Sequence, residues 1–151
     1  MRVIAALLTL LMAAPAFARD DVIPGPVPAE YVDAYDGDTA TVRAHIWPGH
    51  IVVTNVRLAR VDTAELRADC AREERLARKA RAMTRQLLAN AETIRLHAIQ
   101  QGKYGGRVIA RVTADGEDLG QALLDAGLGR RYEGGHRSDW CAPSREQTAQ
   151  E

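Results

Sequence analysis

Apolar and polar positions along this chain first alternate, then fall into a helical period, then alternate again. One stretch stands apart from that pattern. Val3 to Ala14 is almost wholly apolar and carries no charge; Met1-Arg2 precedes it, Pro15 closes it and Ala16-Phe17-Ala18 follows. A short positive start, an apolar run and a small-x-small triplet predict a signal peptide over residues 1–18, cleaved near Ala18. The run is shorter than the roughly 18–20 apolar residues a bilayer span needs. No Cys follows the cleavage site to carry a lipid, so the mature form is expected to have no membrane anchor. An uncleaved N-terminal anchor is the alternative.

Residues 19–30 contain Pro24, Pro26 and Pro28 and read as an extended lead-in. From Tyr31 the strand pattern begins with Val32 and Ala34, turns at Asp36-Gly37-Asp38-Thr39, and resumes with Ala40, Val42 and Ala44. Trp47-Pro48-Gly49 is a second turn. Ile51 to Val61 then predicts one long strand, with Val52, Val56 and Leu58 on one face and Val53, Asn55 and Arg57 on the other. From Cys70 to about Ala91 the period changes: Leu76, Ala80, Met83 and Leu87 predict a helix, with Asp69 as its N-cap. Its other faces carry Arg72, Arg75, Arg78, Lys79, Arg81 and Arg85, a solvated face or a phosphate-binding one. Two strands follow, Thr93 to Ile99 and Arg107 to Val112, with a turn at Ala114-Asp115-Gly116. The last helix runs from Leu119 to about Ala126; Asp118 and Gln121 have capping-box spacing and Gly127 stands at the C′ position. Three strands, a helix, two strands and a helix predict an α+β fold, a five-stranded Greek-key barrel carrying two or three helices. The folded domain is expected over residues 31–141, with a polar tail over 142–151.

Composition narrows the function. Hydrophobic residues at 46% and charged residues at 26% are ordinary globular usage, which excludes collagen, coiled coil and wholesale disorder. Lys+Arg and Asp+Glu are 20 each, so the chain is no broadly basic nucleic-acid coat and no polybasic membrane binder. A local basic cleft stays open. Aromatic residues at 5% are too few for a surface built on stacked bases. Cys70 and Cys141 are the only cysteines, and an oxidising compartment would let them join. Such a bridge closes a loop of about 70 residues and is worth about 4 kcal/mol in the chain-entropy treatment. Two unpaired thiols are the alternative; a zinc site is weaker, because neither Cys lies in a C-x-x-C.

The chemistry-bearing residues gather at turns. Asp36 and Asp38 flank a glycine, and Asp62 and Glu65 lie at the end of the third strand. Carboxylates converging from strand ends suit a hard, oxygen-seeking cation. Arg57 and Asp62 are an odd number of residues apart, so they face opposite ways unless the strand bulges or ends between them. Arg107 opens a later strand behind Tyr104-Gly105-Gly106. Two guanidinium groups beside such carboxylates can hold a divalent ion and a phosphate together.

Asp36-Gly37-Asp38-Thr39, Arg57-Leu58, Asp62-Thr63-Ala64-Glu65, Lys103-Tyr104-Gly105-Gly106-Arg107, then Gly116 and Leu124-Asp125-Ala126-Gly127-Leu128, resemble the ordered signature of the thermonuclease (staphylococcal nuclease-like) family. The resemblance spans roughly Glu30 to Tyr132. It implies an OB-fold barrel with accessory helices and Ca²⁺-dependent endonuclease hydrolysis of DNA and RNA, leaving 3′-phosphates. It implies Asp38, Asp62 and the Thr63 carbonyl as calcium ligands, Glu65 as the residue that orients or deprotonates water, and Arg57 and Arg107 as the phosphate-holding pair. Tyr104 is then the tyrosine that meets a terminal phosphate, with Lys103 beside it, and the C-terminal Tyr132-Glu133-Gly134-Gly135-His136-Arg137 and Trp140-Cys141 stretch is expected to border the substrate groove. The expected partners are DNA and RNA, the expected state a monomer, and the expected location periplasmic or secreted. The chain departs from the family in three places: Ala64 stands where Pro is frequent, Gly105-Gly106 replaces a single glycine, and Gly102 stands where Asp is common. Two other readings remain, a catalytically weak or inactive OB-fold module that binds nucleic acid without cutting it, and an envelope domain whose carboxylates hold structural calcium. Trp140 reads as a packing residue beside the disulfide and His136 as a surface histidine.

Overall fold

A computed structural model describes residues 21–103 and 105–142. The expected signal peptide, Tyr104 and all of the expected polar tail except Ala142 lie outside the described residues. Strand β1 (Val27–Ala34) starts inside the segment expected as a lead-in. Pro28 is tolerated there because pairing with the next strand begins only at Ala29, so its missing N–H is not asked for by that ladder. Strands β2 (Thr39–Trp47) and β3 (His50–Leu58) complete the meander. The long third strand expected from Ile51 to Val61 is in fact two. It stops at Leu58, turns through Arg60 at φ 61°, and restarts as β4 (Val61–Thr63) in a different sheet.

Helix α1 (Ala71–Asn90) is capped by Cys70 rather than Asp69; the Glu73 N–H donates to Cys70 Sγ at 3.4 Å. Its buried stripe also differs from the expected one. Glu73, Ala77, Ala80, Thr84 and Leu88 face inward, while Leu76, Met83 and Leu87 sit half-buried along the stripe's edge. The arginines opposite are largely tied to the protein. Arg78 meets Glu74, Arg85 meets Asp33 at 2.7 Å, and Arg81 donates to the Ala34 carbonyl at 2.9 Å.

Strands β5 (Ile94–Gln101) and β6 (Arg107–Ala114) follow, then a two-residue β7 (Glu117–Asp118), helix α2 (Leu119–Asp125) and β8 (Gly129–Arg131). The turn between β6 and β7 needs left-handed backbone at Asp115 and Gly116, the usual reason for Asp-Gly in a tight hairpin. Asp118 caps α2 as the spacing predicts, accepting from the Gln121 N–H at 2.9 Å; the Gln121 side chain bonds Asp125 instead of returning to the cap. At the other end Gly127 donates to Leu124 and Leu128 to Leu123, a complete Schellman stop.

The sheet runs β3-β2-β1-β5-β6, and a parallel pairing of β3 with β6 closes it. The result is a closed five-stranded barrel with two helices, the OB-type α+β architecture. Its interior is filled with small side chains, among them Ala34, Ala40, Val42, Val56, Leu58, Leu96, Ala110 and Val112. Strand β4 pairs only with β8, so Asp62 is carried on a small two-stranded sheet beside the barrel, against the end of β3. A second cluster of Ala64, Ala77 and Trp140 joins the loop after β4 to α1 and the C-terminal segment. Among the described residues no helix is long and apolar enough to cross a membrane.

Candidate active site

The break in the chain at Arg60 decides the site. Because β3 ends between them, Arg57 and Asp62 come to the same side instead of opposite faces. The Arg57 guanidinium donates to Asp38 Oδ1 at 2.7 Å and to Asp62 Oδ1 at 3.1 Å. Both carboxylates are 1% exposed and Arg57 is 16% exposed, so this is a largely dry ionic triad. Burial alone would lower the Arg57 pKa; the facing charges of Asp38 and Asp62 outweigh it and the net shift is upward.

Asp38 is further held by the Thr39 hydroxyl at 3.0 Å and by the Thr63 N–H at 3.1 Å, which locks the β1–β2 turn onto β4. Gly37 makes that approach possible: a Cβ there would stand 2.5 Å from Ala80 Cβ and 2.9 Å from the Thr63 side chain. Asp36 lies beside them and accepts from the Asp38 N–H at 3.2 Å. Burial, and then the adjacent Asp38 charge, push its pKa up to about 7. Glu65 follows on the loop after β4, with its side chain 41% exposed.

Arg107 opens β6 opposite Asn55 in the parallel ladder, two residues from the Arg57–Ile109 pair, so both arginines lie on the same face of adjacent strands. The Gly102 N–H donates to the Arg107 carbonyl at 2.9 Å, closing a loop that carries exposed Lys103 and a turn at Gly105-Gly106. Gly102 itself is confined, since a Cβ there would meet the Arg107 carbonyl oxygen at 2.7 Å. Tyr132, after β8, lies with its ring 5.7 Å beneath the Arg57 guanidinium.

Two further residues join the site from the C-terminal segment. The Trp140 indole N–H donates to Asp62 Oδ2 at 3.1 Å, so Trp140 holds a carboxylate besides packing in the second cluster. Arg137 reaches Asp62 Oδ1 at 2.7 Å and the Thr63 carbonyl at 3.0 Å through Nη2, and pairs with Glu65 through Nη1. The Cys70–Cys141 disulfide fastens this segment to the start of α1. His136, by contrast, is exposed at the surface.

The donors gathered here are carboxylate and carbonyl oxygens, the set that hard cations prefer. Asp62 Oδ1 and the Thr63 carbonyl already converge on one cationic nitrogen, and Thr63 Oγ1 is buried with no hydrogen-bond partner among the described residues. These residues fit a divalent metal ion.

A family model described as staphylococcal nuclease homologue matches residues 55–151. No match is found among curated proteins. The matched region runs from within β3 through Arg57, β4, both helices and the segment bearing Arg137, and it supports a nuclease-like function with nucleic acid as substrate. With the closed barrel and the Asp38–Arg57–Asp62 triad in place, the chain belongs to the staphylococcal nuclease homologue family.

Proposed function

We propose that this protein is an exported, Ca²⁺-dependent endonuclease that hydrolyses DNA and RNA at the P–O5′ bond and leaves 3′-phosphates. The observation that carries this reading is the pair of buried carboxylates, Asp38 and Asp62, bridged by one arginine near the end of β3. Burying two like charges is costly, and a binding module facing a polyanion gains nothing from it. A site that must hold a cation does.

Asp38, Asp62 and the Thr63 carbonyl would hold the ion, which when bound supplies positive charge to the nonbridging phosphate oxygens. Arg57 has spent two of its five N–H donors on carboxylates, which fixes the fork and leaves donors for phosphate. Arg107, on the same face of the adjacent strand, is the second fork. Glu65 accepts a proton from the attacking water, the phosphorus gains that oxygen, and the 5′-oxygen leaves with its bonding pair and takes up a proton. Lys103, Tyr104 and Tyr132 contact the nucleotide. Export rests on the signal-peptide pattern and agrees with the disulfide, which persists in a periplasmic or extracellular space. The expected active form is the monomer.

The test is cleavage of single-stranded DNA and RNA by purified mature protein, in Ca²⁺ and in excess EGTA, beside Glu65→Gln and Arg57→Lys. Lysine keeps a positive charge between the buried carboxylates, so that variant folds while losing the fork geometry. Each variant is expected to lose on the order of 10²-fold or more in kcat, and EGTA to abolish cutting. Undiminished cleavage in EGTA would remove the metal from the reading. Retained binding of nucleic acid without cleavage by the wild type would make the protein a binding module.

A further inference from the structure

Arg137 stands on the oxygens that the proposed metal needs. Its Nη2 lies 2.7 Å from Asp62 Oδ1 and 3.0 Å from the Thr63 carbonyl, and its Nη1 pairs with Glu65. Asp62 and Thr63 are two of the three residues assigned to the ion, and Glu65 is the assigned base. Calcium takes its oxygens at about 2.3–2.6 Å. An ion on Asp62 Oδ1 and the Thr63 carbonyl would therefore compete with that nitrogen for the same lone pairs, as a second positive charge in the same place.

The segment bearing Arg137 is fixed at both ends and bends at two glycines between them. On one side the Tyr132 N–H donates to the Arg60 carbonyl at 3.0 Å. On the other, Trp140 is 4% exposed and bonded to Asp62, and Cys141 is joined to Cys70. Between these anchors Gly134 and Gly135 take φ values of 97° and 87°, a bend that side chains with a Cβ resist. The Arg137 side chain is 37% exposed, against 16% for Arg57, so it can swing into water while Arg57 stays pinned.

We propose that Arg137 is a built-in counter-cation of this site. It docks on Asp62, Thr63 and Glu65 while no divalent ion is bound, and it leaves when one binds. Docked, it neutralises the cluster and occupies the carboxylate that should take the proton from water. Metal arrival frees the ion's ligands and the base in one event, so the protein is silent at low cation concentration. This inference rests on the metal-site reading above and adds to it a competitor encoded in the same chain.

The test is calorimetric titration of Ca²⁺ alone, without substrate, into oxidised wild-type protein, Arg137→Gln and Arg137→Lys. Apparent affinity is the intrinsic affinity scaled by the fraction of molecules in the undocked, competent state, so removing an arginine that is docked in about nine molecules of ten is expected to tighten Ca²⁺ binding about tenfold. Arg137→Lys, which keeps the charge, is expected to stay nearer the wild type. A measurement on the unaltered protein supports the pair: the Arg137 Nε–H resonance should move to its solvent-exposed position as Ca²⁺ saturates. Equal or weaker Ca²⁺ binding by Arg137→Gln, with the wild type binding normally, overturns the counter-cation and leaves the metal site standing. Absence of Ca²⁺ binding in every form overturns both.

Discussion

At the scale of the residue, Asp36 is the group whose charge state the fold alters most visibly. Burial and the neighbouring Asp38 raise its pKa from 3.8 to about 7. Between those values the folded protein holds a proton that the unfolded chain has released, so unfolding releases a proton and metal-free stability falls as pH rises from about 4 to about 7. Asp36→Asn is expected to flatten that slope. Urea denaturation in EGTA at about pH 5 and about pH 7 checks it; equal slopes for wild type and variant would show that Asp36 does not carry the proton. Asp38, Asp62, Arg57 and Glu65 could be named as candidates from sequence because short motifs in a fixed order carry them. Arg137 could not. Its carbonyl partner Thr63 is 74 residues away, and no local period announces so distant a contact. The only signals nearby were the Gly134-Gly135 bend and the Trp140-Cys141 anchor, which place a short exposed segment without saying which side chain turns inward.

At the scale of the element, the difference between expected and observed helix stripe has a steric cause. Leu76, Met83 and Leu87 are the apolar residues that periodicity selects, yet the line of closest approach runs through Ala77, Ala80 and Thr84. Helix α1 crosses the Asp36–Asp38 turn so closely that Gly37 has no room for a Cβ, and small residues are needed opposite it. Thr84, 1% exposed, then donates its hydroxyl to the Gly37 carbonyl at 2.6 Å, tying the helix to the turn that carries Asp38. Thr84→Val keeps the shape and removes the donor, leaving that buried carbonyl without its hydroxyl partner. A loss of about 1–3 kcal/mol in urea unfolding is expected; an unchanged midpoint and slope would mean that the carbonyl finds another partner at no cost. Strand breaks follow the same logic. Periodicity reads Ile51 to Val61 as continuous because Leu58 and Val61 are both apolar, and only the left-handed Arg60 separates the barrel from the β4–β8 pair. Strands as short as β4, β7 and β8 offer too few residues for alternation to register.

At the scale of the whole molecule, the barrel was legible because element order and turn positions suffice to define it, whereas the C-terminal wrap depends on one covalent bond. Among the described residues no regular element follows β8, and the chain returns across the site to α1 through Trp140 and the disulfide, whose Cα atoms are 5.9 Å apart. The bridge spans a sequence separation of 71, so in the reduced chain the ordering of this segment rests on non-covalent contacts. These include the Trp140 burial, its bond to Asp62, the contacts of Arg137 with Asp62, Thr63 and Glu65, and Arg130, which lies 4.1 Å over the Trp140 ring and donates to the Asp139 carbonyl at 2.8 Å. They are few, and the bonds that Arg130 makes are exposed. Replacing both cysteines by serine is therefore expected to cost about 2–5 kcal/mol, within the range for native bridges in small secreted domains. For a domain of this size that lowers Tm by about 5–25 °C. The measurement is a pair of melting curves for wild type and the double variant, each with and without reductant. Wild type in reductant should fall to the variant's Tm, and the variant should ignore reductant. If instead all four curves coincide, the contacts of Trp140 and Arg130 hold the segment unaided, and the disulfide adds nothing to the equilibrium that places Arg137 over the site.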